Sequence, residues 1–307
     1  MSSDWKLAGR RGNLQSRAAI LQTIRHYFNK EGFLEVETPL RIPAPAPESH
    51  IDAIPSGSWF LQTSPELCMK RMLAAGYGQI YQICSCWRDA ERGNRHLPEF
   101  RMLEWYRAYS DYTVLMHDCE NLIRDIASSL GSPHSLSWMG AEISLNGPWE
   151  RLTVREAYLR YAGTTPDEAL ETDRFDTLMV EAIEPNLGCT VPTFLSDYPA
   201  ERAALSRLKA DDPTIAERFE LYIGGIELAN GFSELTDAAE QLRRFTLEEE
   251  FRRGQGKQPY PLPDRFIDAL YDMPPSAGIA LGIDRLVMLM LDVDSIDEVI
   301  AFTPEEL

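Results

Sequence analysis

The chain has 307 residues, of which 44% are apolar and 25% are charged, a composition typical of a soluble globular protein. No apolar run approaches the roughly 18 residues that a membrane span requires, and the polar segment 1–11 lacks the apolar core of a signal peptide. A formal net charge of −18 disfavours a nucleic-acid partner, because phosphate binding needs cationic side chains, although an acidic protein can still carry a local basic patch. The five cysteines are too few and too odd in number for a disulfide scaffold, so we expect reduced cysteines and a cytoplasmic protein.

The first predicted elements are a helix and a short strand. Asn13 can cap the helix, whose apolar positions recur every three or four residues until Gly32 ends it. The strand follows at 34–36 and stops at Pro39. Several prolines then predict a loop over 41–57, which is either a surface connection or a mobile lid over a site.

A second helix is predicted from Ser64 to Gly76. The serine is a favourable N-cap, the proline after it suits the first helical turn, and Glu66 suits the positive end of the helix dipole. These three residues together indicate a well-defined helix start.

The central predicted feature is a β-hairpin. Aromatic and aliphatic residues with partial alternation predict strands at 79–84 and 100–106, joined by a charged loop. The hairpin is either an ordinary one with a solvated tip or one whose basic loop reaches over a polyanion. On its second strand Glu104 and Tyr106 share one face with Met102, since side chains alternate along a strand. A carboxylate on that face needs a partner, and an ammonium ligand would serve.

Helices dominate most of the remaining chain. Asp111 predicts the cap of a long amphipathic helix, and Thr153 with Glu156 predicts a capping box for the next one. Residues 164–190 are helical and acidic in pattern, without an assignable chemical role, and 238–253 predict a charged, solvated helix. This order of elements predicts an α+β fold with an antiparallel β-sheet flanked by helices. The chain shows neither regular Rossmann alternation nor a phosphate-binding P-loop sequence.

Several long motifs in a fixed order carry a family resemblance. Segment 88–109, RDAERGNRHLPEFRMLEWYRAY, resembles motif 2 of the lysine-type class II aminoacyl-tRNA synthetases. Segment 220–235, ELYIGGIELANGFSEL, resembles their strand pair that holds magnesium and the lysine side chain, and 278–291, GIALGIDRLVMLML, resembles motif 3. Segment 32–39, GFLEVETP, is similar to motif 1. Within motif 2, the sequence HLPEFRMLEWYR is most similar to the corresponding segment of the truncated paralogues that ligate lysine or β-lysine onto elongation factor P.

The resemblance implies a fold and an activity. It predicts one class II synthetase-like catalytic domain over 1–307, without an anticodon-binding OB domain, because motif 1 begins near residue 32. It implies ATP as a substrate, Mg²⁺ as a cofactor, and adenylation of (R)-β-lysine or lysine. It further implies elongation factor P as the protein acceptor and a homodimer assembled through motif 1, while tRNA is not an expected partner.

The resemblance also assigns the groups that bind ATP. Arg88 would bridge the substrate carboxylate and the α-phosphate, since a planar guanidinium can hold both. Arg285 would lie against the nucleotide, with Phe100 on the other adenine face and His96 near the terminal phosphates, so Arg88 and Arg285 are the catalytic candidates. The ATP-binding candidates are Arg88, Ala90, Glu91, His96, Leu97, Phe100, Glu227, Leu228, Gly282 and Arg285.

Two glutamates match the magnesium ligands of that family. Glu220 and Glu227 are separated by an odd number of residues around Gly224 and Gly225, so a continuous strand would place them on opposite faces. A hairpin or bulge at the glycines is needed to bring them together. Magnesium commonly takes one or two carboxylates together with substrate phosphates, which fits this pair.

The substrate amines are assigned to acidic residues in the same way. Glu234 would pair with the side-chain ammonium of lysine beside Tyr106, and Glu66 with Glu104 would face the other amine. The family pocket is completed by Ser64, Leu228, Asn230 and Ala280. Alanine at position 280, where lysyl-tRNA synthetases typically have glycine, points weakly to β-lysine over α-lysine.

Two departures from the family pattern concern adenine and phosphate contacts. Motif 2 commonly reads Arg-x-Glu, whereas this chain has an extra residue, Ala90, before Glu91; either Glu91 reaches the adenine or that contact is lost. The family's asparagine after histidine is Leu97, which offers only backbone groups. Two other functions remain open: a related ligase with a different acceptor, and a catalytically silent regulatory paralogue.

Overall fold

The computed structural model describes residues 5–307. The helices are α1 (Trp5–Gly9), α2 (Arg11–Lys30), α3 (Glu66–Ala74), α4 (Tyr112–Ser129), α5 (Val154–Ala157), α6 (Pro166–Glu171), α7 (Phe175–Leu178), α8 (Ala238–Gly254), α9 (Asp264–Ala269) and α10 (Ile283–Met290). The strands are β1 (Leu34–Glu35), β2 (Arg41–Ile42), β3 (Pro55–Ser56), β4 (Trp59–Leu61), β5 (Gln79–Trp87), β6 (Glu99–Ala108), β7 (Ser135–Trp138), β8 (Ala141–Ser144), β9 (Glu150–Thr153), β10 (Thr193–Pro199), β11 (Ile215–Ile223), β12 (Ile226–Ser233) and β13 (Ser276–Gly282). Short π and 3₁₀ turns follow several of these helices.

One eight-stranded sheet organises the molecule, in the order β1-β5-β6-β13-β12-β11-β10-β9. The neighbouring pairs from β5 to β10 are antiparallel, and parallel pairing occurs at the two edges, β1 with β5 and β9 with β10. The predicted α+β fold with an antiparallel sheet flanked by helices is therefore confirmed, with parallel edge strands added. The predicted hairpin is also confirmed, as β5 and β6.

The two faces of the sheet have different roles. Helices α2, α4 and α10 pack on one face, where Leu103 and Trp105 of β6 join the main apolar core. Helices α3, α8 and α9 cover part of the other face around Tyr106. Because side chains alternate along β6, Met102, Glu104 and Tyr106 share this second face, as predicted.

Capping residues explain several helix starts, but two helices begin at residues other than those predicted. Asp111 and the Thr153–Glu156 capping box begin α4 and α5 as predicted. Helix α2, however, starts at Arg11, and the Asn13 side chain instead donates a hydrogen bond to the carbonyl of Glu298. The N-cap position of α3 is occupied by Pro65, one residue after the predicted cap, although the Ser64 hydroxyl accepts a hydrogen bond from the backbone N–H of Glu66 at 3.0 Å.

One glycine permits a close approach on β13. Strand β13 lies between β6 and β12, and Gly278 pairs with Tyr106 on one side and Phe232 on the other. A Cβ atom at Gly278 would lie 2.2 Å from the Tyr106 ring and 2.4 Å from Oε1 of Glu234. The missing side chain therefore lets an aromatic ring and a carboxylate from two different strands meet over β13.

Candidate active site

A cavity of about 450 Å³ lies on the second face of the sheet. Its floor is built from β6, β11, β12 and β13, and the segment after β5 forms part of its rim. The predicted site residues that line it are Ser64, Glu66, Arg88, Glu91, His96, Leu97, Phe100, Glu104, Tyr106, Glu220, Glu227, Leu228, Asn230, Ala280, Gly282 and Arg285. Residues far apart in the sequence thus meet in one concave space.

Two predicted residues lie outside the cavity lining. Ala90 is exposed at the hairpin loop, with a left-handed φ of 59°. Glu234 is buried beneath the wall formed by Gly278 and Tyr106. The structure also adds lining residues that the sequence reasoning missed, among them Glu48 and Arg218.

Two arginines, Arg88 and Arg285, lie at one end of the cavity. The Arg88 guanidinium lies over the Phe100 ring, 5.1 Å from its centroid, and 3.8 Å from a carboxylate oxygen of Glu91. Arg285 donates to the carbonyl of Glu227 at 2.9 Å and contacts Nε2 of His96 at 2.5 Å. Burial and the charge of Arg285 lower the pKa of His96, so its neutral ring can accept this hydrogen bond. The motif 2 loop and α10 are therefore joined across the cavity mouth.

The hairpin of β11 and β12 brings Glu220 and Glu227 to the same cavity. A register shift leaves Leu228 unpaired between Glu227 and Ala229, which corrects the odd spacing of the two glutamates. Both expected arrangements occur: the chain turns at Gly224 and Gly225, and the bulge lies three residues after Gly225. Burial and the charge of Glu220 raise the pKa of Glu227 to about 7. The buried carboxylate of Glu220 and the partly exposed carboxylate of Glu227 repel each other and form a donor set that a divalent cation would stabilise.

The surroundings of Glu220 hold its carboxylate in place. It accepts hydrogen bonds from the hydroxyls of Tyr198 at 2.6 Å and Tyr222 at 2.7 Å, and Arg218 contacts its other oxygen at 2.6 Å. Among residues 5–307 no group of three or more His, Cys, Asp or Glu side chains is placed to hold a metal ion. A cation at this pair would therefore depend on phosphate oxygens for most of its ligands, which is how Mg²⁺ usually binds with ATP.

The amino-acid end of the cavity is acidic. Glu104 is buried and accepts hydrogen bonds from the Ser64 hydroxyl at 2.6 Å and the Tyr106 hydroxyl at 2.8 Å. Burial, and next the negative charge of Glu66, raise the pKa of Glu104 to about 8. The Tyr106 hydroxyl thus donates its hydrogen bond to Glu104 in this structure, whereas the sequence analysis placed Tyr106 beside Glu234.

A buried lysine was missed at this end. The Nζ atom of Lys70 lies 2.5 Å from Oε1 of Glu66 and 2.5 Å from Oε2 of Glu234. The four-residue spacing of Glu66 and Lys70 on a predicted helix was the signal that could have revealed the first contact. No local pattern could have revealed the second, because Glu234 follows β12.

Glu104 makes the stability of the protein dependent on pH. Its folded pKa of about 8 exceeds the ordinary glutamate value, so the folded state holds a proton that the unfolded chain releases. The unfolding free energy should therefore fall as the pH rises from about 4.5 to 8. Glu104→Gln should reduce this dependence, although Glu234, whose pKa is also raised to about 8, retains part of it. The substitution should stabilise the protein by up to about 5 kcal/mol at pH 8.5, with little effect at pH 4.5. Urea unfolding of both proteins at the two pH values checks this, and equal unfolding free energies at pH 8.5 would contradict it.

The arrangement defines a class of protein. An antiparallel sheet carries a motif 2 hairpin, a carboxylate pair on the neighbouring hairpin and an arginine at the start of α10, all directed at one cavity, as in the catalytic domain of class II synthetases. The chain belongs to the family described as tRNA synthetases class II (D, K and N), whose model matches residues 4–306.

Curated relatives align over almost the whole chain. The elongation factor P (R)-β-lysine ligase of Proteus mirabilis is 39% identical, over 98% of this chain and 97% of that protein. The ligases of the same name from Edwardsiella ictaluri and Salmonella dublin are 38% and 39% identical, each over 98% of this chain and 98% of the relative. Within residues 5–307 no helix is long and apolar enough to cross a membrane.

Proposed function

We propose that this protein is an ATP-dependent ligase that adenylates (R)-β-lysine or lysine and transfers it to a lysine side chain of elongation factor P. The observation that carries the proposal is the cavity itself, which has arginines and a carboxylate pair at one end and the partly buried Glu66 and fully buried Glu104 at the other. The full-length similarity to ligases of that name supports the choice of acceptor.

The first step needs positioning and charge stabilisation more than a protein nucleophile. A substrate carboxylate oxygen attacks the α-phosphorus of ATP, and pyrophosphate leaves. Arg88 would hold the substrate carboxylate and the α-phosphate, and Arg285 would hold the nucleotide. Glu220 and Glu227 would hold Mg²⁺, which neutralises phosphate charge when it is bound.

The second step joins the activated amino acid to the acceptor. An unprotonated lysine amine attacks the carbonyl carbon of the adenylate, an amide bond forms, and AMP leaves with the electron pair of the broken bond. The acidic net charge of −18 disfavours tRNA as the acceptor, because no overall basic footprint is available for its phosphates. We propose a cytoplasmic location, where elongation factor P and ATP are both present.

Mass analysis tests the whole proposal. Elongation factor P incubated with the enzyme, ATP and (R)-β-lysine should gain the mass of one lysyl group, and L-lysine should give less product. Pyrophosphate exchange without an acceptor distinguishes the alternatives: a ligase with a different acceptor would exchange but leave elongation factor P unmodified, and a silent paralogue would do neither. Absence of modification with both isomers would contradict the proposal.

Ala280 should set the preference between lysine isomers. It pairs with Glu104 on one side and Asn230 on the other, at the floor of the amino-acid end. Ala280→Gly removes one methyl group, a change typically worth about 1–3 kcal/mol in discrimination. We expect the ratio of kcat/KM values for (R)-β-lysine and L-lysine to fall about tenfold while KM for ATP stays constant. An unchanged ratio in pyrophosphate exchange would remove the argument for β-lysine and leave the ligase proposal standing.

We also propose a C2 homodimer. The resemblance implies an interface at motif 1, where Phe33, Val36 and Pro39 form a compact apolar stretch, but Phe33 and Val36 are buried inside their own chain. The exposed apolar residues of this region are Leu34 and Leu40, and Leu34 lies on edge strand β1. Light scattering at micromolar concentration should give twice the chain mass, and Leu34→Glu should give the monomer mass. Leu247→Glu, on α8 and equally exposed, is the control that should remain dimeric.

A further inference from the structure

The buried ion pairs beneath the amino-acid end of the cavity form a charge-balanced unit. Lys70 has a side chain that is 0% exposed, and its Nζ atom contacts one carboxylate oxygen of Glu66 and one of Glu234. The rings of Phe232 and Phe266 lie 5.1 and 6.0 Å from the same ammonium. Burial opposes the charge on Lys70, but the two carboxylates outweigh it and raise its pKa, so Lys70 stays protonated.

Lys70 contacts only one of the two carboxylate oxygens of Glu234. Oε1 of Glu234 has no hydrogen-bond partner among the residues that the structure describes, although the side chain is fully buried. This oxygen lies over Gly278, beside the Tyr106 ring, and both of those residues line the cavity. Lys70 therefore fixes Glu234 with one oxygen occupied and the other directed toward the cavity wall.

The ionisable side chains around Lys70 carry a net negative charge. The ionisable groups around Lys70 are Glu66 on its own helix, Glu104 and Tyr106 on β6, and Glu234 after β12. Three ionised glutamates and one lysine give a net charge of −2, which equals and opposes two ammonium groups. Without Lys70 the same pocket would carry −3, and a bound dication would leave one buried carboxylate uncompensated.

We propose that Lys70 is a positioning and specificity-determining residue that sets the pocket charge to match a diamino acid with both amines protonated. This inference rests on the proposed function and narrows its substrate class. A pocket of charge −2 accepts lysine or β-lysine and disfavours amino acids with one amine, because these leave a buried carboxylate unpaired.

Proton release on binding reports the charge count. When a dication binds, the acids must all ionise, so protons held in the empty pocket are released. Burial raises the pKa values of Glu104 and Glu234 to about 8, so the wild-type protein holds up to two such protons at pH 7. The charge of Lys70 lowers the pKa values of Glu104 and Glu234, so its removal raises both further and more protons must leave on binding. A purely structural role of Lys70 would not be restored by correcting the charge alone, which is what the double variant below does.

The test is calorimetry on the full chain, with L-lysine and (R)-β-lysine as probes, in buffers of different ionisation enthalpy at pH 7. We expect Lys70→Met to bind both lysine isomers at least tenfold more weakly than wild type does at pH 7. Binding to this variant should release up to one additional proton. The difference in affinity between the two proteins should become smaller toward pH 8.5. Lys70→Met/Glu66→Gln restores a charge of −2, so its proton release should return to the wild-type number. Lys209→Met removes a lysine ion-paired with Asp197 at 2.7 Å, outside the cavity, and should behave as wild type.

The results of this calorimetry distinguish a failure of the proposed function from a failure of the inference about Lys70. If wild type binds neither lysine isomer but binds ATP, the proposed function fails, and this inference fails with it. If wild type binds lysine and Lys70→Met releases the same number of protons, only this inference fails, whatever the change in affinity. If Lys70→Met does not fold, as judged by circular dichroism, the double variant is compared with Glu66→Gln; equal proton release by those two proteins would overturn the proposal.

Discussion

Glu227→Gln is expected to lower the rate of pyrophosphate exchange by about 10²–10³-fold while leaving the fold intact. The substitution keeps the shape of the side chain and removes one of the two carboxylates that face each other in the cavity. A divalent cation on ATP would then lose a charged ligand, and phosphate charge in the transition state would be less neutralised. The protein should also become slightly more stable above pH 7, because a carboxylate with a raised pKa no longer has to ionise.

A neighbouring glutamate provides the matched control. Glu184 accepts a hydrogen bond from the Tyr222 hydroxyl at 3.3 Å, and its pKa is raised by burial and next by the charge of Glu220, yet it does not line the cavity. Glu184→Gln should change pyrophosphate exchange by less than about threefold, since it removes charge without removing a ligand. Equal losses in the Glu184 and Glu227 variants would show that general charge, not metal binding, explains the effect.

Glu234→Gln is expected to raise KM for lysine by about 100-fold and KM for ATP by less than threefold. A substrate ammonium loses its hydration when it is buried, and only a charged acceptor compensates for most of that loss. Oε1 of Glu234 is the unpaired, buried oxygen beside Tyr106 and Gly278. Tyr106→Phe should give a smaller increase of the same kind, because it removes one hydrogen bond, donated to Glu104 at 2.8 Å.

This variant also disturbs Lys70, so its stability must be measured beside its kinetics. Glu234→Gln leaves the buried ammonium with Glu66 as its remaining carboxylate contact. Glu120→Gln is a suitable comparison, because Glu120 is also buried and ion-paired, with Arg124 and Arg151, on α4 and away from the cavity. The Glu120→Gln variant should have a lower free energy of unfolding than wild type and an unchanged KM for lysine. If Glu234→Gln weakened ATP and lysine equally, Glu234 would be a nucleotide or metal residue, and the pocket assignment would be wrong.

Three acids in one pocket explain why function and stability oppose each other here. Glu104 has a raised pKa because burial disfavours its charged form, so keeping it ionised for the substrate costs folding free energy. Its partners, the hydroxyls of Ser64 and Tyr106, reduce that cost without removing it. A neutral replacement of Glu104 should therefore stabilise the empty protein and impair lysine binding together.

Local sequence patterns determined much of the fold and the membership of the cavity. Capping residues such as Asp111 and alternation in the strand that carries Glu104 act over a few residues, so they are readable without a structure. The motif resemblance placed Arg88 and Arg285 in one site, and the cavity contains both. Each of these inferences depends on short-range geometry or on the fixed order of long motifs.

The tertiary structure alone decided which charges meet. The order of strands in the sheet places β13 between β6 and β12, and helix packing brings Lys70 against Glu234. The unpaired Leu228, and not the turn glycines, brings Glu227 to the face of Glu220. Alternation along a strand tells which residues share a face, but it does not tell which other element will cover that face. For that reason the sequence by itself identified the acids of the pocket, and only the folded chain showed that a buried lysine already balances one of them.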